Sequence, residues 1–253
     1  MKEDAPVASP VKLYQEEMHK NIGFFATWLP SNVIELGDIG VLDGGRFRQV
    51  GSLKELGIAQ PGVREGAAES VSYSASAKRS DGISGGAGTL VPLAKAELSI
   101  QFTSQGGYVF EAMEMKQVEL SDRLALAASL LQAYEKGQWQ KDWLLVDTIY
   151  NAGSATILVS EDTTSEIVLK ASAAALPLGS LPLADPKLGL TVTSSNGKIV
   201  HIVAANNLRP LYSCLRVRDP LLFGKPTVVP VRGRFGQNAN VLGRPDIADL
   251  LDS

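Results

Sequence analysis

Apolar and polar side chains alternate along residues 70–78 and again along residues 94–102, on either side of a glycine-rich segment. A period of two is typical of a β-strand with one apolar face, so the pattern predicts a β-hairpin over residues 70–102. Each run is close to the roughly 9–11 residues that a membrane-spanning β-strand needs. The small side chains of the first run predict an apolar face that the resting fold uses little. The apolar positions of this hairpin are Val71, Tyr73, Ala75, Ala77, Leu98, Ile100 and Phe102.

A second strand-rich segment covers residues 144–173 and is interrupted by a turn at residues 160–165. This segment predicts a second long hairpin, with its strands on either side of that turn. Shorter strand patterns elsewhere predict a mainly antiparallel sheet. The apolar positions of the second hairpin are Ile157, Val159, Ile167 and Leu169.

Two further segments have helical periodicity. The first, residues 10–22, follows Ser9 and begins at Pro10, a favourable start for a helix. The second ends at Gly137, where a C-terminal cap belongs. Its predicted buried stripe consists of Leu120, Leu124, Ala127, Leu131 and Tyr134. The fold class predicted from these patterns is α+β: a single domain with a twisted, mainly antiparallel sheet, an N-terminal helix, a central helix and two long β-hairpins.

Composition places the chain among ordinary folded proteins. It has 253 residues, of which 45% are hydrophobic and 20% are charged. No window approaches the roughly 18 consecutive apolar residues of a transmembrane helix, and the first ten residues have no apolar core of a secretory signal. One cysteine fits a reducing compartment. The expected location at rest is therefore the cytoplasm.

Few side chains are available for catalysis. Cys214 could form a nucleophilic pair with His201, but its strand context favours a small buried side chain. The only other histidine, His19, lies beside Lys20 on a polar helix face and is predicted to be solvent-exposed. Two histidines and one cysteine do not supply a usual zinc site without several carboxylates. The sequence predicts no enzyme, no metal and no cofactor.

Other ligand motifs are absent from the sequence. The glycine-rich segments at residues 37–45 and 82–88 match neither the P-loop nor the dinucleotide-binding pattern, and both are interpreted as turns. The net charge is −3, and the aromatic residues are not interleaved with the basic strands. Nucleic acid is therefore not an expected partner.

Basic residues are concentrated near the C-terminus. Residues 198–234 contain seven lysines and arginines and one acid, Asp219. This asymmetry has two interpretations: a solvated sheet face with basic edges, or a surface that meets anionic lipid or another acidic partner. The candidates for such a lipid-facing surface are Lys198, Arg209, Arg216 and Arg218.

The chain resembles the gasdermin family, in particular its short microbial members. The resemblance covers most of the chain as an order of elements: an N-terminal helix, a small-residue hairpin, a helix, a second hairpin, a last strand pair and a short tail. At residue level it is confined to residues 34–56. The residues that match are Ile34, Leu36, Asp38, Ile39, Gly44, Gly45, Phe47, Val50, Gly51, Ser52, Leu53, Glu55 and Leu56.

The resemblance implies an autoinhibited pore-forming protein. A body over residues 1–231 would carry a tail over residues 232–253, and proteolytic removal of the tail would let both hairpins extend into a membrane. Monomers at rest would then assemble into a large homo-oligomeric β-barrel in cell death or antiviral defence. Candidate cleavage points are Arg232, Arg234 and Arg244. The residues that would pack the tail onto the body are Ile247, Leu250 and Leu251.

One departure from the family concerns lipidation. Bacterial members carry a lipidated cysteine near the N-terminus, and this chain has none there. Either lipid-assisted insertion does not apply to this chain, or membrane contact would start from the basic strands instead. Two alternatives stay open: a soluble α+β binding module that uses its basic C-terminal strands, since surface hairpins also alternate, and an enzyme centred on Cys214.

Overall fold

A computed structural model describes residues 10–27, 29, 33–43, 45–82, 97–171, 182–219 and 225–231. These residues form two α-helices and mainly antiparallel strands, so the α+β class is confirmed. The predicted tail and the tip of the first hairpin lie outside the described residues. So do the residues predicted for cleavage and tail packing, namely Arg232, Arg234, Arg244, Ile247, Leu250 and Leu251.

Helix α1 (Pro10–Ile22) begins at its proline and is followed by Gly23, whose N–H donates to the His19 carbonyl at 2.8 Å. Helix α2 (Arg123–Glu135) begins after Asp122, which accepts a capping hydrogen bond from the Ala125 N–H. The stripe predicted for α2 is displaced. Leu124 is 87% exposed, and the buried residues are Leu126, Leu130 and Ala133.

Twelve strands are present among the described residues, together with a short 3-10 helix, Pro186–Leu188. In chain order the strands are β1 (Phe25–Ala26), β2 (Asp38–Asp43), β3 (Arg46–Ser52), β4 (Val63–Ala75), β5 (Ala77–Gly82), β6 (Glu97–Phe102), β7 (Tyr108–Leu120), β8 (Leu144–Ser160), β9 (Ser165–Lys170), β10 (Thr191–Asn196), β11 (Ile199–Arg218) and β12 (Thr227–Pro230).

These strands form two sheets. The eight-stranded sheet has the order β1-β11-β8-β2-β3; β7 also pairs with β8, β4 pairs with β7, and β12 pairs with β11. The four-stranded sheet has the order β10-β9-β6-β5, and all its pairs are antiparallel.

The chain divides into two compact units, although the sequence predicts a single domain. The first unit contains residues 1–14, 69–115 and 152–208, and the second contains residues 15–68, 116–151 and 209–253. Strands β4, β7, β8 and β11 each contribute residues to both units. The chain therefore passes between the units within regular strands, which explains why no linker composition marks the boundary.

The core of the first unit lies on one face of the four-stranded sheet. Apolar side chains of β6 and β9 pack there against Val109, Leu158, Leu183 and Leu188. The residues from the two strands and their immediate continuation are Leu98, Ile100, Phe102, Ile167, Leu169 and Ala171.

The second unit has two apolar clusters. One contains Phe25, Tyr212 and Cys214, and the other contains the buried face of α2 together with Leu215 and Val217. Because successive side chains of a strand point to opposite faces, β11 contributes to both clusters and the sheet separates them.

Candidate functional site

Each strand of the four-stranded sheet continues a strand of the eight-stranded sheet. Strand β4 leads into β5 through Ser76, which has a φ of 52°. The connection from β6 to β7 is residues 103–107, that from β8 to β9 is residues 161–164, and that from β10 to β11 is residues 197–198.

The strand order is the same in the two sheets. The four-stranded sheet has the order β10-β9-β6-β5, and the strands that continue these are neighbours in the order β11-β8-β7-β4. In both sheets, therefore, the strands of residues 63–82 lie next to those of residues 97–120, and the strands of residues 144–170 lie next to those of residues 191–218. We call the first set hairpin one (residues 63–120) and the second set hairpin two (residues 144–218).

Hairpin one contains the segment predicted from alternation. Within residues 70–102, β5 and β6 pair antiparallel from Ala77 opposite Phe102 to Gly82 opposite Glu97. Burial also alternates along the first run, and the less exposed positions are those predicted to form the apolar face. The half-buried positions of the first run are Val71, Tyr73, Ala75 and Ala77, while Ser72, Ser74, Ser76 and Lys78 are exposed.

The prediction of a hairpin over residues 144–173 is wrong, because β8 and β9 lie in different sheets. Backbone groups at the end of β8 bond to other segments: the Gly106 N–H donates to the Ser160 carbonyl, and the Glu161 N–H donates to the Lys198 carbonyl. Residues 161–164 are thus a break between sheets. The partner that follows β9 along the chain is β10, with Thr191 opposite Lys170.

The membrane-hairpin candidates of β6 and β9 are fully buried in the resting fold. Leu98 lies opposite Leu169 and Ile100 lies opposite Ile167, so all four share one face. The expectation of a little-used apolar face concerns the first run, residues 70–78, whose apolar positions are half-buried; the positions of β6 and β9 lie outside that run. Ile157 and Val159 are buried too, but β8 is buried on both faces at this point.

The opposite face of the four-stranded sheet is polar. Gln101 pairs with Glu166 across β6 and β9, and Glu97 pairs with Lys170. The Ser99 hydroxyl donates to Glu166 Oε1 at 2.6 Å. The two central strands thus have one apolar face and one polar face.

A buried carboxylate, Glu111 of β7, holds parts of the first unit together. Glu111 is 7% exposed. Its Oε1 accepts a hydrogen bond from Arg79 Nη1 of β5 at 3.0 Å, and its Oε2 accepts one from the Leu183 N–H at 2.6 Å. Burial raises the pKa of Glu111, and the bonds from Leu183 and Arg79 oppose that shift. The contact joins β7 to β5 and to the segment around Leu183, and sequence patterns did not indicate it.

The basic candidates near the C-terminus do not form one free surface. Arg209 of the second unit donates to Glu35 Oε1 at 2.5 Å and to the Ile34 carbonyl at 2.7 Å. It lies on the opposite side of β11 from Arg216 and Arg218, because strand positions of unlike parity face opposite ways. Lys198 belongs to the first unit and is exposed.

Arg216 is half-buried rather than exposed to solvent. Its Nε has no hydrogen-bond partner within the described ranges. Burial, followed by the charge of Arg218, lowers the pKa of Arg216.

The pairing considered for nucleophilic catalysis does not occur. Cys214 and His201 both lie on β11, and an extended strand cannot bring its own distant residues into contact. Cys214 is fully buried, and burial raises the pKa of its thiol well above the ordinary value. This favours the interpretation of Cys214 as a core residue.

The prediction that His19 is solvent-exposed is wrong. Its ring is fully buried and stacks on Phe25 with centroids 4.4 Å apart. Neither ring nitrogen makes a well-formed hydrogen bond to any residue that the structure describes. Burial lowers the pKa of His19 from 6.5 to about 4, with a smaller opposing effect from the Phe24 backbone. Helical periodicity does not indicate that His19 is buried, because the side chain that covers it, Phe25, belongs to β1 and not to the helix.

Acid is expected to destabilise the fold through His19. As the pH falls from 6.5 towards 4, unfolded His19 gains a proton and folded His19 does not, so the free energy of unfolding falls by up to about 3 kcal/mol. His19→Phe keeps the stack on Phe25 and does not titrate. Urea unfolding at pH 7, 5.5 and 4.5 should therefore show a smaller loss for His19→Phe than for the wild type. Lys20→Gln, an exposed neighbour, is the control; equal losses in all three proteins would contradict the assignment.

Among the described residues, no group of three or more histidine, cysteine or acidic side chains could hold a metal ion. In the same part of the chain, no helix has both the length and the apolar character needed to cross a bilayer. Comparison with known proteins finds no family model that matches the chain and no curated protein with a significant match.

Proposed function

We propose that this protein is an autoinhibited pore-forming protein. It would rest as a cytoplasmic monomer, be activated by a protease that removes the C-terminal tail, and assemble in membranes as a large homo-oligomeric β-barrel. Lipid, the protease and further copies of the chain would be its partners, in cell death or defence. The observation that carries the proposal is the shared strand order of the two sheets.

Because the two sheets have the same strand order, each strand could join the strand it continues without a change in the strands beside it. If the four breaks between the sheets became extended, β4 with β5 and β8 with β9 would each form one strand, and every strand would keep its present neighbours. The joined strands would cover residues 63–82 and 144–170, well beyond the roughly 9–11 residues that span a bilayer. The breaks differ in length, with one residue at Ser76 beside five at residues 103–107. Joining the strands would therefore shift the register in one of the two sheets while the order of the strands stays the same.

Open strand edges support assembly. Within the described residues, β4 pairs only with β7 and β5 only with β6, so hairpin one has an open edge. On the other side, β10 pairs only with β9. These outer strands have opposite directions, so further copies can add with antiparallel pairing. Closure into a barrel would satisfy the open edges, as a membrane requires.

The pattern of side chains supports a membrane setting. The apolar face of β6 and β9 would meet lipid, and the face with Gln101 and Glu166 would meet the aqueous lumen. The sequence between the paired strands of each hairpin also has no charged residue over residues 83–94 and 172–184. Charged groups would be costly in the parts that enter the bilayer first.

Removal of the residues after Gly233 is expected to make the protein release dye from anionic vesicles, while the full-length chain releases little. Negative-stain imaging of the truncated protein with lipid should show rings of many subunits. Intact vesicles over a wide concentration range would contradict the proposal. A soluble binding module would instead remain a monomer or small oligomer after truncation.

A further inference from the structure

A polar cavity of about 310 Å³ lies in the second unit. Its wall comes from the last residue of α1, the first residue of α2, and the strands β7, β8, β11 and β12. The volume is at the lower end of the range of small-molecule sites, which suits a ligand with a single ring. The polar residues of the wall are Gln117, Glu119, Arg123, Asp147, Thr148 and Ser213.

Hydrogen bonds bring the charged side chains of this wall together. Arg123 Nη2 donates to Glu119 Oε2 at 2.8 Å and to Asp147 Oδ2 at 2.9 Å. The Ser213 hydroxyl donates to Asp147 Oδ1 at 2.8 Å. Side chains from β7, α2, β8 and β11 therefore meet at one place, although these elements are distant in the chain.

Aromatic side chains complete the wall. The ring of Phe24 meets that of Tyr150 edge to face at 4.8 Å, and the Tyr150 hydroxyl donates to Gln117 Oε1 at 3.0 Å. Phe25 lies opposite Tyr212 in the pairing of β1 with β11. Phe24, which precedes Phe25, therefore lies beside Ser213, the residue that follows Tyr212. Contacts between side chains thus run around the cavity.

The charges around the cavity balance. The carboxylates of Glu119 and Asp147 contact the guanidinium group of Arg123, and Glu119 Oε1 also accepts from Arg64 Nη2 at 2.6 Å. Burial raises the pKa of Asp147, while the Ser213 hydroxyl and the charge of Arg123 oppose that shift. An additional charge without a partner is costly in such a place. The cavity therefore favours an uncharged ligand.

Donors and acceptors lie side by side on the wall. Arg123 makes all its contacts with described residues through Nη2, so its Nε and Nη1 are available to donate to a ligand. Glu119 is an acceptor only, and its carboxylate has more lone pairs than the bonds from the two arginines use. A hydroxyl group both donates and accepts, so two neighbouring hydroxyls suit this pair of residues.

We propose that this cavity binds an uncharged cyclic polyol, such as the ring of a hexose or of an inositol. Neighbouring hydroxyls bond to Arg123 and Glu119, and the C–H face of the ring packs on Phe24. The proposal does not depend on pore formation.

Calorimetric titration of the full chain with D-glucose, D-galactose, D-mannose and myo-inositol tests the proposal. At least one of these probes should bind. The amino sugar and the uronic acid of the hexose that binds most tightly should bind about tenfold more weakly, because each brings a charge without a partner. No binding of the four probes, or tighter binding of either charged derivative, would overturn the proposal.

Arg123→Lys tests the contact with the hydroxyls. Lysine keeps the positive charge beside Glu119 and Asp147 but lacks the fixed guanidinium donors, so binding should weaken about tenfold. Arg48→Lys makes the same chemical change on β3, which contributes no residue to this wall, and should bind like the wild type. Equal binding by Arg123→Lys and the wild type would overturn the proposal.

Phe24→Leu decides the proposal if Arg123→Lys does not fold. It removes the aromatic ring from the wall and should weaken binding about threefold; unchanged binding would overturn the proposal. The methyl glycoside of the bound hexose distinguishes the sources of the ligand. Binding as tight as that of the hexose assigns the terminal sugar of a glycan, and loss of binding assigns a free sugar.

Discussion

Glu111→Ala is expected to lower the free energy of unfolding by about 3 kcal/mol. The substitution removes the carboxylate that contacts Arg79, whose side chain is 27% exposed, and it removes the acceptor of the Leu183 N–H. Urea unfolding at pH 7 measures the change. In a chain truncated after Gly233 the same variant should release vesicle contents faster, because the contact holds β5 and β7 together only in the resting arrangement.

Glu111→Gln is the matched control and should cost much less than Glu111→Ala. Glutamine keeps an acceptor for Leu183, and it avoids the burial of charge that raises the pKa of Glu111. The same shift predicts that the contribution of Glu111 to stability falls as the pH rises through its folded pKa, opposite in sign to that of His19. Equal stability of Glu111→Ala and the wild type would show that this contact does not hold the resting unit.

Ile100→Ala is expected to lower the free energy of unfolding by about 2–5 kcal/mol, since Ile100 is fully buried in the core of the first unit. The next residue, Gln101, points to the polar face and is exposed. Gln101→Ala should therefore change stability by no more than about 0.5 kcal/mol. Thermal or urea unfolding compares the two variants directly. Similar losses at both positions would contradict the assignment of one apolar and one polar face to β6.

Alternation of side chains predicted strands better than it predicted their partners. The half-buried positions from Val71 to Ala77 follow from a period of two, but the first run divides at Ser76 between β4, which pairs with β7, and β5, which pairs with β6. The predicted hairpin over residues 144–173 is wrong because the alternation of side chains is the same in both cases: when a turn connects two paired strands, and when it connects strands of two different sheets. Only the backbone bonds of Ser160 and Glu161 distinguish these cases.

Periodicity failed for a different reason in α2. The helix has apolar residues around most of its circumference, so the sequence does not indicate which stripe is buried. Leu126 and Leu130 pack on the sheet, and Leu124 points outward. The contact of α2 with the sheet therefore determines which of its apolar stripes is buried.

Polar residues of the candidate sites were the least predictable. Glu111, His19 and Asp147 have ordinary polar identities in the sequence, and their roles come from burial against other elements. No local pattern marks a buried glutamate or aspartate, because the partners are distant in the chain. The feature that supports pore formation, the shared strand order, likewise needs the complete pairing of both sheets.

Pore formation as proposed requires each strand of the four-stranded sheet to join the strand it continues when the protein enters a membrane. Two spin labels in the first unit can measure this, one at Ser80→Cys on β5 and one at Met113→Cys on β7, with Cys214→Ala to remove the native thiol. At rest these positions flank the contact between Arg79 and Glu111, so the labels should lie within about 25 Å of each other. Ser80 pairs with Ser99, so one continuous strand from residue 99 to residue 113 would separate them by about 45 Å.

Pulsed electron spin resonance on the chain truncated after Gly233, before and after addition of anionic vesicles, gives this distance. If the strands join, the distance between the labels should shift from below about 25 Å to about 45 Å together with release of vesicle contents. A distance that stays at its resting value while the vesicles leak would contradict the joining of the strands.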